Sequence, residues 1–387
     1  MNELFARRRT LVLKRGKERV AANRHPWIFA GAIHSERGPE DAAFADLVDA
    51  EGKRIASGFY SRHSQIRLRA LTFGEEVLNA DVIASRISSA IARRAFLFDD
   101  ATNAARVIHA EGDDLSSIIV DRYGDVLVVE IANAGAEQVK PLIVDTLQRE
   151  LAPRAIFFKN DIPARALEQL PTEDEGDGAT EFVESGLRFR VDAAHGQKTG
   201  FFLDQRENRR LARMLAANQR VLNLFSYTGA FGVYAAAGGA ASVTNVDISA
   251  PAIEQARENH KLNGSDAEFV VADAFQYVRQ KHGPFDFIVC DPPAFAKSRH
   301  EVERAARGYK DVNLHALRMV APGGRMMTFS CSGHMSLDLF QKVIFAAALD
   351  AGRRVSFVRR LTAGPDHPVS LHAPEGEYLK GFLLEVH

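Results

Sequence analysis

The spacing of apolar residues changes twice along this chain. Up to residue 74, short apolar runs alternate with turns of Gly, Pro, Asp and Ser, a pattern typical of a small all-β barrel. The pattern is mixed from 75 to 188, and after about Phe189 strands alternate regularly with helices. We therefore predict three domains, 1–74, 75–188 and 189–387. The predicted strands of the first are Leu11–Leu13, Trp27–Phe29, Phe44–Val48, Ile55–Tyr60 and Ile66–Leu71.

The central segment predicts a small α+β domain. Apolar residues recur at helical spacing over 81–98 and again over 139–151. The stretch 168–185 holds seven acidic residues and no Lys or Arg. Because these carboxylates lack the spacing of metal ligands, we interpret the stretch as a solvated turn or a linker edge. The predicted strands are Ser117–Val120, Val126–Ile131 and Ile156–Lys159.

The last segment predicts an α/β fold. Apolar strands that alternate with helices are typical of a mostly parallel sheet covered on both faces. The uncharged run 221–246 is long enough to cross a bilayer, but its Asn, Ser, Thr and Gly residues favour a buried strand, turn and helix. The predicted strands are 221–225, 242–247, 267–272, 285–290 and 325–330. The predicted helices are 231–237, 251–263, 274–281 and 302–319, the last with a break near Gly308.

Composition narrows the class of protein. A chain of 387 residues with 46% hydrophobic and 26% charged residues is folded and exceeds one small module. The net charge of −1 excludes a wholly basic nucleic-acid coat. The first 74 residues nevertheless hold 14 Lys or Arg against 8 Asp or Glu, which indicates an anion-facing side or an ordinary solvated basic surface. Two cysteines, without zinc-site spacing or an apolar leader, favour a reducing cytoplasm and no membrane partner.

A cofactor pocket is predicted where the strands of the α/β domain end. The first strand runs into a turn that includes Gly229, and the GxGxxG spacing of dinucleotide sites is absent. Asp247, Asp273 and Asp291 follow three further strands at the carboxyl edge, where ligands of open α/β folds bind. Each Asp alone could instead be a helix N-cap. Together they favour S-adenosylmethionine over NAD, because the pocket shows an adenosine-type acid without a pyrophosphate site. The predicted cofactor-binding residues of the turn are Asn223, Phe225, Tyr227 and Gly229.

Two further strand ends carry candidate chemistry. In Asp291-Pro292-Pro293, the prolines fix an extended backbone that holds the carboxylate at the sheet edge. Strand alternation assigns Cys290 to the core. Cys331 follows the strand 325–330, where its thiol would face the cleft, although a small buried thiol is the alternative. A thiolate that adds to C6 of cytosine makes C5 nucleophilic, so this cysteine suits C5 methylation.

These residues resemble the large-subunit ribosomal RNA methyltransferase I family, which methylates C5 of a cytosine in 23S rRNA with S-adenosylmethionine. The resemblance covers nearly the whole chain, and it implies a PUA-type RNA-binding barrel, a central α+β domain and a Rossmann-like class I methyltransferase domain. The matching segments are 24–33, 111–124, 198–206, 223–229, 291–293, 329–333 and 375–382.

The resemblance also implies roles for single residues. Gln205 and Arg206 would bind the methionine end of the cofactor, while a salt bridge to the acidic stretch is the alternative. Asp291 and Pro292 would also contact the cofactor, and the Asp291 carboxylate would present hydrogen-bond acceptors to the target ring. Related RNA cytosine-C5 methyltransferases often carry a second cysteine after the Asp-Pro motif, where this chain has Ala294. Another base, Asp291 or water, would then remove the C5 proton.

The substrate would be ribosomal RNA held by basic and aromatic side chains. Their alternative is an ordinary charged helix face. Two other functions stay open: methylation of an exocyclic amine such as guanine N2, which needs no thiol, and a non-catalytic RNA-binding assembly factor. The oligomeric state is also open, a homodimer included. The predicted RNA-binding residues are Arg24, Trp27, Pro293, Lys297, Arg299, Arg304, Arg307 and Lys310.

Overall fold

The chain divides into two compact units, each built from separated segments. A computed structural model describes residues 2–196, 198–280, 282–296 and 298–387. Because both units draw on distant segments, no local pattern predicts this division, and the three-domain division stays a prediction. The first unit contains Met1–Phe182, Val191–Phe202 and Pro365–Gly376. The second contains Val183–Arg190, Leu203–Gly364 and Glu377–His387.

The first unit begins with a six-stranded sheet. Its strands are β1 (Arg8–Leu13), β2 (Trp27–Phe29), β3 (Ile33–Arg37), β4 (Phe44–Val48), β5 (Arg54–Tyr60) and β6 (Ile66–Phe73), with short helices α1 (Asn2–Ala6) and α2 (Arg19–Ala22). The order is β2-β6-β5-β4-β1-β3, and only the β1–β4 pair is parallel among these neighbours. The predicted strands are confirmed. The prediction missed β3 because four of its five residues, His34 to Arg37, are polar.

A second sheet completes the first unit. Its elements are α3 (Ala80–Arg93), β7 (Ala104–His109), β8 (Ile118–Tyr123), β9 (Val126–Ile131), α4 (Ala134–Glu137), α5 (Lys140–Leu151), β10 (Ala155–Phe158) and α6 (Pro163–Leu167), in sheet order β10-β9-β8-β7. Phe44 and Phe59 of the first sheet share one buried cluster with Ile83, Ile87 and Val120. The two sheets therefore have a common hydrophobic core, even though the predicted boundary at residue 74 falls between β6 and α3.

The interpretation of 168–185 as a solvated turn or linker edge holds for only part of the stretch. Four of its acids are exposed, namely Glu173, Glu175, Asp177 and Glu181. Glu168 and Glu184 are buried, at 4% and 0% exposure. Asp174 pairs with Lys159 at 2.8 Å. The stretch also contributes β11 (Ala179–Glu184), which forms a two-stranded sheet with β12 (Leu187–Asp192). Sequence reasoning missed these contacts because the basic partners lie far away along the chain.

The second unit is built around a seven-stranded sheet with helices on both faces. Its order is β15-β14-β13-β16-β17-β19-β18, with the first five strands parallel and the last two pairings antiparallel. The predicted α/β fold is confirmed. The strands are β13 (Arg220–Leu224), β14 (Ser242–Asp247), β15 (Glu268–Val271), β16 (Phe285–Cys290), β17 (Val320–Ser330), β18 (Val355–Leu361) and β19 (Lys380–Val386). The helices are α7 (Arg206–Leu215), α8 (Ala230–Ala237), α9 (Ala250–Leu262), α10 (Ala274–Tyr277), α11 (Val302–Met319) and α12 (Leu337–Ala351).

Strand alternation supplies a core to each face of this sheet. In β16, Ile288 and Cys290 join the cluster that contains α11 and α12. Phe287 and Val289 join the opposite cluster with α7 and α8. The assignment of Cys290 to the core is therefore confirmed, at 0% exposure.

Helix α11 differs from its sequence prediction at Gly308. The predicted break near Gly308 is wrong, because α11 is continuous; one interior glycine costs only about 1 kcal/mol, which tertiary packing overcomes.

The run 221–246 forms a strand, a turn, a helix and a second strand, as β13, α8 and β14 show. Within the described part of the chain, no helix has the length and hydropathy needed to span a bilayer.

A buried charge cluster ties α7 to Glu184 inside the second unit. The Glu184 carboxylate accepts hydrogen bonds from Nε of Arg206 at 3.1 Å and from Nη2 of Arg209 at 2.6 Å. The Tyr234 hydroxyl donates to the same carboxylate at 2.9 Å. All four side chains are at most 2% exposed. This acid is therefore the shared counter-charge of two guanidinium groups in the protein interior.

We expect Glu184→Gln to destabilise the second unit strongly. The amide keeps the shape of the carboxylate but leaves two buried guanidiniums without their counter-charge, a change that typically costs about 3–5 kcal/mol. Circular dichroism during urea unfolding measures the loss. Glu207→Gln is the matched control, because the Glu207–Arg210 pair is roughly half exposed and should be worth less than about 1 kcal/mol. Equal losses in the two variants would contradict the prediction.

Candidate active site

Parallel strands bring the predicted site residues of the second unit to one edge. Register pairs Leu224 with both Val246 and Cys290, and Cys290 with Thr328. The carboxyl ends of β13, β14, β16 and β17 therefore lie side by side. Asp247 is the last residue of β14, while Asp291 and Cys331 directly follow β16 and β17. This edge holds the acids and the thiol that the sequence selected.

The turn after β13 is strained and is held by Asp247. Phe225 and Tyr227 have φ angles of 56° and 48°, in the left-handed region that costs non-glycine residues roughly 1–2 kcal/mol each. The Asp247 carboxylate accepts from the Tyr227 N–H at 2.8 Å and from the Ser249 N–H at 2.9 Å. Ser249, not Asp247, is the N-cap of α9. The capping alternative therefore fails for Asp247, which instead fixes the turn at the site edge.

Gly229 is required by both its conformation and its surroundings. Its φ of 75° is left-handed, and a Cβ there would lie 2.7 Å from the Cβ of Ala256 in α9. Only glycine lets α8 begin here and pack this closely against α9.

Two other predicted cofactor residues have local partners. Asp273 caps α10 and accepts from the Gln276 N–H at 3.1 Å, which is the N-cap alternative. Asn223 is 1% exposed and donates to Asn245 at 2.9 Å, and Asn245 in turn contacts His260 at 3.1 Å. Burial lowers the pKa of His260 to about 4, so this network holds a neutral imidazole. Asp273 thus caps α10, and Asn223 links β13 to β14; the contact of both residues with the cofactor stays a prediction.

The Gln205-Arg206 pair separates into two different environments. Gln205 donates from Nε2 to Asp291 Oδ2 at 3.0 Å, and its Oε1 accepts from Asn208 at 2.6 Å. It therefore contacts the carboxylate at the site edge. The Arg206 side chain is completely buried on Glu184, so the alternative, a salt bridge to the acidic stretch, is what the structure contains. The proposed cofactor role of Arg206 is corrected accordingly, because its guanidinium is committed to that interior pair.

Cys331 lies beside the Asp-Pro-Pro segment. Its side chain is partly exposed, and its Sγ is 3.8 Å from the carbonyl oxygen of Pro292. The Ser332 hydroxyl accepts from the Ala296 N–H at 3.1 Å and contacts the Tyr309 hydroxyl at 3.0 Å. These bonds join the loop after β17 to the loop after β16, so the thiol and Asp291 belong to one connected site.

Comparison with known proteins identifies the family. A model of S-adenosylmethionine-dependent methyltransferases matches residues 154–381, and a PUA-like domain model matches 11–73. A protein of Shewanella denitrificans named ribosomal RNA large subunit methyltransferase I is 43% identical, over 97% of this chain and 98% of its own. One of the same name from Klebsiella pneumoniae is 42% identical over 100% and 99%. The chain belongs to the ribosomal RNA large subunit methyltransferase I family.

Solved structures share the fold of this methyltransferase. A protein of Streptococcus mutans proposed to be a SAM-dependent methyltransferase superimposes with a TM-score of 0.81 at 21% identity, covering 97% of this chain and 99% of that one. SMU.776, another proposed methyltransferase in complex with SAH, gives a TM-score of 0.82 at 22% identity with the same coverage. At these identities, the likeness concerns the fold.

The site fits S-adenosylmethionine, the cofactor of this methyltransferase. The turn 225–229 contains no charged side chain, and its sequence lacks the three glycines of a pyrophosphate site. Asp247 presents a fixed carboxylate of the type that accepts hydrogen bonds from ribose hydroxyls. Gln205, the residue predicted to bind the methionine end, donates to the Asp291 carboxylate. This donor set favours an uncharged adenosine with a compact cationic tail.

The predicted RNA-binding residues of the second unit fall into those that form ion pairs with acidic side chains and those that are exposed. Lys310 pairs with Asp350 at 2.7 Å, and Arg304 contacts Glu301 at 3.3 Å, as expected for a charged helix face. Arg299, Arg307 and Pro293 are exposed. Lys297 lies outside the described residues. Arg307 therefore remains the clearest candidate for a phosphate contact on α11.

In the first unit, Trp27 and Arg24 have different surroundings. The Trp27 indole N–H donates to Glu111 at 2.7 Å, and the Arg69 guanidinium lies 5.8 Å from the ring centroid. Arg24 is exposed and lines a cleft of about 380 Å³ with Arg86. Their role in RNA binding stays a prediction.

Sequence reasoning missed three residues of the site. Tyr309 and Ser332 join the loops, and Lys380 starts β19 with a buried ammonium group. Lys380 lies in the segment 375–382 that resembles the family, but no pattern indicated that β19 would pair beside β17. The sequence therefore indicated that the segment around Lys380 belongs to the family pattern, but not where that segment lies in the fold.

We expect Gly229→Ala to weaken S-adenosylmethionine binding by at least about tenfold. A methyl group at 2.7 Å from Ala256 must displace α9 or the turn, in addition to the cost of a left-handed alanine. Isothermal calorimetry measures the affinity. Gly264→Ala is the matched control, because Gly264 has a φ of 61° and no atom within 4 Å of an added Cβ. Similar losses in both variants would contradict the packing argument, and wild-type protein without measurable affinity would favour a non-catalytic scaffold.

Proposed function

We propose that this methyltransferase forms 5-methylcytosine in 23S ribosomal RNA, with Cys331 as the nucleophile. The names of the full-length relatives support ribosomal RNA of the large subunit as the substrate. The PUA-like model over 11–73 supports an RNA-binding module. The observation that carries the cytosine chemistry is the location of the partly exposed Cys331 thiol beside Pro292, at the carboxyl edge of the sheet.

C5 of cytosine is too weak a nucleophile to accept a methyl group unaided. In the proposed reaction, Cys331 Sγ forms a bond to C6, and the electron pair of the C5–C6 bond makes C5 nucleophilic. S-adenosylmethionine, when bound, would supply an electrophilic methyl group: the C5–methyl bond would form as the sulfonium–methyl bond breaks, and S-adenosylhomocysteine would be released. Loss of the C5 proton to a base then restores the C5–C6 double bond as the Sγ–C6 bond breaks, and Cys331 leaves as a thiolate. Asp291 or water is the proposed acceptor of that proton.

The target base must leave its stacked position to reach the sheet edge, as in other enzymes that modify bases. Asp291, held by Gln205, offers a carboxylate that can accept from the exocyclic amine of cytosine. The same acceptor would suit the guanine N2 amine, so Asp291 fits both candidate reactions. Only the thiol at the edge favours cytosine C5.

We expect Cys331→Ala to lower kcat by at least about a thousandfold, because the nucleophile has no substitute in the proposed reaction. Mass spectrometry of nucleosides from 23S rRNA fragments measures the product. RNA that carries 5-fluorocytosine at the target should form a covalent adduct with the wild type, since fluorine at C5 blocks the elimination step.

Cys290→Ala is the matched control for this prediction. It removes the other thiol, which is completely buried in the core and whose pKa burial raises far above that of a free cysteine. This variant should still form the adduct and methylate. Full methylation by Cys331→Ser, or a product of N2-methylguanosine, would refute the cytosine proposal.

We also propose that Arg307 contacts an RNA phosphate. Arg307→Ala should weaken binding of a 23S rRNA fragment and reduce the slope of log K against log salt by about 0.7, the value for one phosphate contact on a single strand. Filter binding over a range of KCl concentrations measures this slope. Lys342→Ala is the control, because Lys342 is an exposed lysine of α12 that pairs with Asp338 at 2.7 Å. Unchanged slopes in both variants would assign Arg307 to an ordinary helix surface.

A further inference from the structure

Lys380 is a buried lysine at the catalytic edge of the second unit. Its residue exposure is 7%, and its Nζ donates to the carbonyl oxygens of Ser332 at 3.0 Å and Tyr378 at 2.9 Å. The β17–β19 register places it directly opposite Ser330, the residue before Cys331. The ammonium group therefore contacts the main chain of Ser332, the residue after Cys331.

This ammonium group has an unusual environment for a buried charge. In the described part of the chain, it forms no ion pair with a carboxylate, and two neutral carbonyls are its hydrogen-bond acceptors. Burial lowers the pKa of Lys380, while the negative charges of Glu377 and Cys331 raise it. A buried lysine normally needs a compensating charge. Glu377 supplies part of that charge, and the Cys331 sulfur is a second source, which lies at the site edge.

The loop that carries Cys331 does not depend on Lys380 alone. The Ser332 hydroxyl binds both the Ala296 N–H and the Tyr309 hydroxyl, and Sγ of Cys331 faces the Pro292 carbonyl. These contacts hold the loop from the side of β16 and α11. Removal of the Lys380 charge should therefore change the electrostatics at the thiol more than the position of the loop.

We propose that Lys380 is a positioning residue whose ammonium group stabilises the thiolate form of Cys331. The thiol proton would pass to solvent, since Cys331 is partly exposed, and Lys380 would stay protonated throughout. The inference rests on the proposed function for its catalytic meaning, because a thiolate is both the nucleophile at C6 and the group that leaves. The charge pairing itself is a property of the free protein, and it can be measured without RNA.

The test is the pH dependence of Cys331 alkylation by iodoacetamide in the full-length protein. Lys380→Met should shift the midpoint of the rate profile upward by about one pH unit, because a nearby cation favours the thiolate. At pH 7 a shift of one unit lowers the thiolate fraction about tenfold, and the more basic thiolate is about threefold more reactive, so the rate falls about threefold. Mass spectrometry of the modified peptide assigns the label to Cys331, and Cys331→Ala gives the background from Cys290.

Two further variants separate charge from structure. Lys380→Arg keeps the cation and should keep the midpoint near that of the wild type, while Lys380→Gln keeps a hydrogen-bond donor without charge and should shift the midpoint as Met does. If Lys380→Met fails to fold, as judged by circular dichroism, the comparison of Gln with Arg still decides. Lys342→Met controls for the loss of an unrelated lysine. An unchanged midpoint in a folded Lys380→Gln protein would overturn the inference.

The alkylation test of Lys380 and the methylation test of the proposed function can fail independently of each other. A shifted alkylation midpoint together with full methylation by Cys331→Ser would keep the pairing and refute cytosine chemistry through the thiol. An unshifted midpoint together with loss of methylation in Cys331→Ser would keep the proposed function and remove Lys380 from it. If the charge pairing and the cytosine chemistry are both correct, Lys380→Gln should also shift the acidic limb of the pH profile for kcat to higher pH. A merely structural role of Lys380 would not cause this shift.

Discussion

Parallel pairing of β13, β14, β16 and β17 is the constraint on which the site depends. Because these strands run in one direction, the residue that follows each of them reaches the same edge, whatever the separation along the chain. Asp247 reinforces this edge by binding two main-chain N–H groups, one from the turn after β13. Residues from Gln205 to Lys380 can therefore act together although most of the second unit separates them in sequence.

The sequence was informative where function coincides with the end of an apolar strand. Asp247, Asp291 and Cys331 each follow a run that reads as a buried strand, so their edge position could be predicted. β3 could not, because its polar residues mask the strand pattern. Lys380 could not either, since its position depends on β19 inserting antiparallel between β17 and β18, a pairing that local periodicity does not encode. Arg206 was misassigned because its partner Glu184 comes from a stretch that only tertiary packing buries.

The second unit buries charge in two different ways. Glu184 serves two guanidiniums and a tyrosine hydroxyl, so its cluster has a counter-charge in direct contact and acts as a structural tie. Lys380 is held by two carbonyl dipoles. Dipoles satisfy the hydrogen bonds of an ammonium group but neutralise no charge, so the field of Lys380 extends to neighbouring groups. The first arrangement suits stability, and the second suits a site where a negative charge must form.

The choice between candidate reactions depends on sulfur rather than on the carboxylate. Asp291 accepts from Gln205, and a carboxylate that is already an acceptor can orient any exocyclic amine, whether on cytosine or guanine. In the proposed function, this carboxylate would therefore accept from either amine and would not distinguish the two bases. A thiol is needed only where a ring carbon must be made nucleophilic, since an exocyclic nitrogen has its own electron pair. If Lys380 lowers the cost of forming that thiolate, the buried ammonium group becomes a second observation that favours carbon over nitrogen as the methylated atom.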